Sequence, residues 1–164
     1  MISKKMEESL NKQLNAELYS SYLYLSMAAY LESINLNGMA AWMKLQSTEE
    51  YEHGLKFYEY LGSVGARIKL EVINEPQFSW NNAGEVFEAS LAHEKVITKN
   101  IYDLADLAIE EKDHATRNFL NWFVDEQVEE VATVTNIVEK FKMVADSKNS
   151  MYLLDKELGK RGQK

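Results

Sequence analysis

Apolar residues recur at spacings of three and four along four long stretches of the chain, the period of helices that each bury one face. The first stripe runs Met6, Leu10, Leu14, Glu17, Ser21, Tyr24, Ala28 and Leu31; the second runs Met39, Trp42, Gln46, Glu50, His53, Phe57, Tyr60 and Val64. The third runs Phe87, Leu91, Glu94, Ile97, Ile101, Leu104 and Ala108, and the fourth Phe119, Phe123, Gln127, Glu130, Val134, Ile137 and Phe141. Turn-forming residues gather between the stripes, at 35–38, 62–65, 76–84, 112–113 and 147–150. Helices are therefore predicted at about 4–33, 37–64, 83–111 and 113–145, with a short fifth at about 150–159. Asp113 stands where it can cap the fourth. The links at 34–37 and 112 force antiparallel hairpins, whereas 65–82, holding the only proline, is long enough to run back along a whole helix. The expected fold is all-α: one domain over residues 1–164, a four-helix bundle with one long crossover and a short C-terminal helix.

Composition narrows the function classes. Seven glycines and one proline in 164 residues are too few turn formers for a sandwich or an α/β fold, and 46% hydrophobic residues suffice for a core. With no cysteine, disulfides and thiolate metal sites are excluded. A net charge of −8 argues against nucleic acid as a partner and suits cations. The opening residues turn charged where a signal peptide would be apolar, and the run from Leu18 to Leu31 is too short for a membrane span. No membrane partner and a cytoplasmic setting are expected.

Every stripe is interrupted near its middle by a glutamate: Glu17, Glu50, Glu94 and Glu130. Counting from the first turn, Glu17 and Glu50 both lie roughly 20–27 Å along their helices, and Glu94 and Glu130 match in the same way about the second. Four glutamates and His53 therefore meet at one level of the bundle. Buried carboxylates facing one another need protons or cations, and no lysine or arginine lies between Arg117 and Lys140 to supply charge from the fourth helix. Glu50 and His53, one turn apart, aim a carboxylate and an imidazole at the same point. Glu49, Glu126 and Glu129 lie about 100° around their helices from a seam glutamate, where a solvated acidic face and an adjoining cation site are equally good readings. His93 turns away from Glu94, toward surface or an interface, and His114 reads as a capping or surface residue. Tyr24 and Trp122 read as core, with the alternative that an oxidisable ring beside a redox metal donates an electron. Gly54, next to His53 in mid-helix, makes room for a neighbour.

These residues resemble the non-haem bacterial ferritins over essentially the whole chain, and the bundle with its single crossover is the ferritin-like connectivity. The resemblance implies a first iron site of Glu17, Glu50 and His53, with Glu50 bridging to a second made by Glu94 and Glu130. By the same resemblance Gln127 is the glutamine beside that centre, and Glu49, Glu126, Glu129 and Glu130 form a third iron site. Tyr24 matches the family's tyrosine and joins Glu17, Glu50, His53, Glu94 and Glu130 as catalytic. Haem-carrying relatives repeat Glu-x-x-His on the fourth helix, where this chain reads Gln127-Val128-Glu129-Glu130, and their haem-binding methionine corresponds to Glu52; no haem is expected. Animal ferritins line a pore with acidic residues early in the fourth helix, where this chain has Arg117 and Leu120, so the resemblance does not carry over a route for iron.

The implied activity is that of a ferroxidase serving iron storage, detoxification and iron homeostasis. Fe(II) and O2 or H2O2 are its substrates, and ferric oxyhydroxide is deposited inside a hollow homo-oligomeric shell of 24 copies. The alternative is a small-oligomer di-iron peroxidase or oxidase without mineral storage.

Overall fold

The computed structural model describes residues 2–144 and 146–163. Four long helices, α1 (Lys4–Ser33), α2 (Asn37–Ser63), α3 (Ala83–Glu110) and α4 (His114–Val144), form the bundle, and α5 (Lys148–Leu158) follows. No strand occurs among the described residues. The predicted end of the fourth helix at residue 145 lies outside them. The fifth helix begins earlier than the punctuation suggested, because Ser147 caps it by accepting the Ser150 N–H at 3.3 Å. No helix among the described residues is long and apolar enough to cross a membrane.

Each hairpin turn follows from hydrogen bonds at the helix ends. After α1, Asn35 takes φ 60° while Leu36 N–H bonds Leu31 O at 3.0 Å and Asn35 N–H bonds Glu32 O at 3.0 Å. This paired closure ends the helix in a left-handed residue, a conformation asparagine tolerates. Gly65 closes α2 in the same way at φ 71°, where lack of a Cβ removes the steric cost. Lys112 does so after α3 at φ 54°. The next residue, Asp113, closes α3 with its N–H on Ala108 O at 2.8 Å and caps α4 with its carboxylate on Thr116 N–H at 3.0 Å. One residue thus ends one helix and starts the next, which is why a link this short suffices.

The crossover has no secondary structure of its own. Asn11 and Asn15, one turn apart on α1, act as its partners: Asn11 donates to Arg67 O at 3.0 Å and accepts Lys69 N–H at 2.7 Å, and Asn15 donates to Lys69 O and accepts Glu71 N–H, both at 2.8 Å. Two side-chain amides thereby satisfy backbone groups that a strand would otherwise pair. Farther on, Ser26 Oγ donates to Gln77 O, and Trp80 packs edge-on to Tyr30 with ring centroids 5.4 Å apart.

The apolar interior is divided in two. One cluster, around Tyr24, Met27, Leu31, Trp42, Met43, Phe87 and Val134, fills one half of the bundle. The other, around Leu10, Leu14, Phe57, Leu61, Ile101, Leu120 and Phe123, fills the opposite half. Between them lies a polar layer, and Glu17, Gln46, Glu50, His53, Glu94, Gln127 and Glu130 are all buried in it.

Candidate metal centre

Side chains from all four long helices make up this layer. Glu17, Glu50 and His53 each bring one oxygen or nitrogen atom within 4.8 Å of the others, and so do Glu50, Glu94 and Glu130. A third group, His53, Glu126 and Glu130, satisfies the same limit. Glu50 belongs to the first two groups and joins them. Its Oε2 lies 3.3 Å from His53 Nδ1.

The charge balance of the layer is unfavourable without cations. Burial, followed by the charge of Glu50, raises Glu17 well above its ordinary value. The same two causes, in that order, raise Glu94 to about 7. Burial and then the charges of Glu50 and Glu94 raise Glu130 to about 9. Burial alone would lower His53, but its bond to Glu50 and the charge behind that bond outweigh it, and the imidazole is raised. Glu17 Oε2 is buried and has no hydrogen-bond partner among the described residues. An acceptor left bare inside a protein is costly, and a cation bound there would remove the cost. Oxygen donors with a single imidazole suit Fe(II) and also Mn(II) or Zn(II).

Three glutamines brace the carboxylates. Gln13 donates to Glu17 Oε1 at 2.7 Å, and Gln46 donates to Glu50 Oε1 at 2.7 Å and to Glu130 Oε2 at 2.9 Å. Gln127 donates to Glu94 Oε2 at 3.2 Å and to Thr98 Oγ1 at 3.1 Å. Of the three, only Gln127 is legible in the sequence as a site residue. Gln13 and Gln46 each stand one turn before a seam glutamate, and that repeated spacing was the signal available for them. Tyr24 is fully buried and donates its hydroxyl to Glu94. Burial and the Glu94 charge hold the phenol well above its ordinary value, so it stays protonated.

Several residues fall elsewhere than expected. His93 is half-buried on the α1–α3 seam: Ser20 Oγ gives its hydrogen to Ala16 O at 2.9 Å, which leaves it to accept from His93 Nε2 at 2.7 Å. Burial lowers this histidine, in keeping with a neutral ring. Trp122 is not core. It is 41% exposed, edge-on to His53 with centroids 5.3 Å apart, and carries Lys56 Nζ at 4.4 Å from its ring centre. Leu120 is buried inside the bundle. His114 is exposed, as anticipated. A Cβ on Gly54 would stand 3.2 Å from Leu18 Cδ2, so the glycine does make room for a neighbour on α1.

The outer acidic residues are not gathered into one group. Glu126 is half-buried, and burial raises it. Glu129 is exposed and outside the three donor groups. Glu49 is paired with Arg161, which lies past α5 and carries no local signal of a role at the site.

Residues 7–144 match the ferritin-like domain family. The chain is 38% identical over 161 residues to a bacterial non-heme ferritin of Staphylococcus aureus, an alignment covering 98% of this chain and 97% of the relative. A bacterial non-heme ferritin of Staphylococcus epidermidis matches equally, at 38% over 161 residues, with the same 98% and 97% covered. An open-pore ferritin from the hyperthermophilic archaeon Archaeoglobus fulgidus has a solved structure that superposes with a TM-score of 0.97 at 46% identity, over 98% of this chain and 99% of that one.

Proposed function

Because the chain belongs to the ferritin-like family, we propose that it oxidises Fe(II) with O2 or H2O2 in the buried carboxylate layer and stores the product as ferric oxyhydroxide inside a shell of its own copies. Iron is the substrate and cargo. Glu17, His53 and Glu50 hold one Fe(II), Glu94 and Glu130 hold a second, and Glu50 bridges the two. Two irons side by side supply two electrons at once to the oxidant, and the oxygen-rich ligand set favours the ferric product.

The single observation that carries this reading is the sharing of Glu50 between two buried donor groups, with an oxygen of Glu17 left bare beside them. A structural ion pair would leave neither. The remaining residues handle orientation and protons. Gln13, Gln46 and Gln127 hold the carboxylates by their amide hydrogens, and the raised Glu94 and Glu130 surrender protons as cations arrive. Tyr24 holds Glu94 and is the ring placed to give up an electron. Glu126, Glu129 and Glu130 line an outer path, and a third iron binds there with Glu49 once that carboxylate leaves Arg161. The shell has 24 copies and works in the cytoplasm.

Aerobic addition of Fe(II) to the purified protein, followed by sizing and iron counting, tests it. Tens of irons per subunit retained in an assembly of several hundred kDa are expected. Two irons on a dimer would contradict storage and favour a small di-iron peroxidase or oxidase.

A further inference from the structure

The end of the chain reaches the edge of the carboxylate layer. Helix α5 docks on the start of α2 where two glycines meet: a Cβ on Gly38 would stand 1.9 Å from Asp155 O, and one on Gly159 would stand 2.9 Å from Gly38 Cα. Past α5, Gly162 at φ +75° turns the chain over Leu45. Arg161 then lies along α2. Its guanidinium stands 4.2 Å from the Trp42 ring centre and donates to Gln46 Oε1 at 2.8 Å and to Glu49 Oε2 at 2.5 Å. Trp42, Gln46 and Glu49 are spaced by successive helical turns, so one planar fork spans all three.

A guanidinium offers hydrogens and accepts none. Gln46 must therefore turn its oxygen to Arg161, which leaves its amide nitrogen for Glu50 and Glu130. The orientation of a buried amide is set by its partners, and here the deciding partner is the arginine. With Gln46 so fixed, its oxygen is withheld from the centre, and Glu49 is held by an internal cation.

We propose that Arg161 is a positioning residue for the metal centre and the resident cation of its outer edge. Through Gln46 it orients Glu50 and Glu130, and it reserves Glu49, so that a further metal ion reaches Glu49 only by displacing the C-terminal tail. This inference rests on the two-metal reading of the buried layer.

Zinc, which does not oxidise, is the probe. Titration calorimetry of the assembled apoprotein should count two zinc ions per subunit for the wild type. Arg161→Met keeps the stem over Trp42 but removes the charge, and should admit a third zinc ion while weakening the first two by about tenfold, because Gln46 no longer holds Glu50 and Glu130. A chain ended at Lys160, which leaves α5 whole, should behave as Arg161→Met does and serves if that variant misassembles. Arg161→Lys restores the charge and should return the count to two, a rescue that a purely structural role for the tail would not give. Identical isotherms for the wild type and both disruptive variants would overturn the proposal while leaving the two-metal centre intact, and so would a third zinc ion in Arg161→Lys. Fewer than two zinc ions in the wild type would remove the centre itself, and the proposal with it.

Discussion

Tyr24 donates its hydroxyl to Glu94 across the seam between the first and third helices, inside a layer where Glu94 is already raised to about 7. The hydrogen bond works against that rise, since it stabilises the carboxylate. Tyr24→Phe should therefore leave the fold intact, push Glu94 above its present value and make cation binding at neutral pH weaker. Zinc titrations between pH 6 and 8 should show the midpoint of binding moving to higher pH in the variant. Coincident pH profiles would show that the phenol does not bear on the site.

The apoprotein should lose stability as pH rises. Glu94 and Glu130 are raised from 4.5 to about 7 and about 9, so the folded chain holds protons that the unfolded chain has already lost. Unfolding then releases protons, which means stability declines from the ordinary carboxylate range upward and levels off above about pH 9. Glu17 and His53, both raised, act in the same direction. Denaturant midpoints of the metal-free protein should fall between pH 6.5 and 9. Saturating zinc should flatten that slope, because bound cations replace the protons.

Asp155 Oδ1 accepts the Met39 N–H at 2.8 Å, which caps α2 from a helix distant in sequence; Leu36, at the cap position itself, provides no side-chain bond. Asp155→Ala should cost about 1 kcal/mol, the usual loss for a removed cap. Gly38→Ala should be worse, since its methyl would overlap the Asp155 carbonyl and force α5 away. Chemical denaturation checks the first, and limited proteolysis of the tail the second.

Along the crossover, Asn11→Ala removes two bonds to the Arg67 and Lys69 backbone. A loss of about 1–2 kcal/mol is expected, in line with leaving a donor and an acceptor without partners. Cleavage by a protease within 65–75 should accelerate in the variant while the helices stay resistant.

The bundle was legible in the sequence because its period, its scarce turn residues and the lengths of its links all agree on one topology. The layer was legible too, since Glu17, Glu50, Glu94 and Glu130 break apolar stripes at matched depth. What stayed hidden depends on long-range contacts without periodicity. Nothing local marks Asn11 and Asn15 as partners of a segment more than fifty residues away. Arg161 looks like one more charge in a polar tail until α5 docks and brings it over Trp42. Trp122 misleads for the opposite reason: a large apolar residue reads as core, yet here its ring lies at the edge of the layer beneath Lys56.

The most direct test of the centre is the initial rate of Fe(II) oxidation in Glu50→Ala against the wild type, at two irons per subunit, with assembly checked by size. Glu50 is shared by both buried donor groups, so its loss strips each of a ligand. The fast phase should fall by about 100-fold or more, the scale expected when the reacting groups are no longer held together. An unchanged initial rate in an intact assembly would mean that iron is oxidised somewhere other than the layer built on Glu17, Glu50, His53, Glu94 and Glu130.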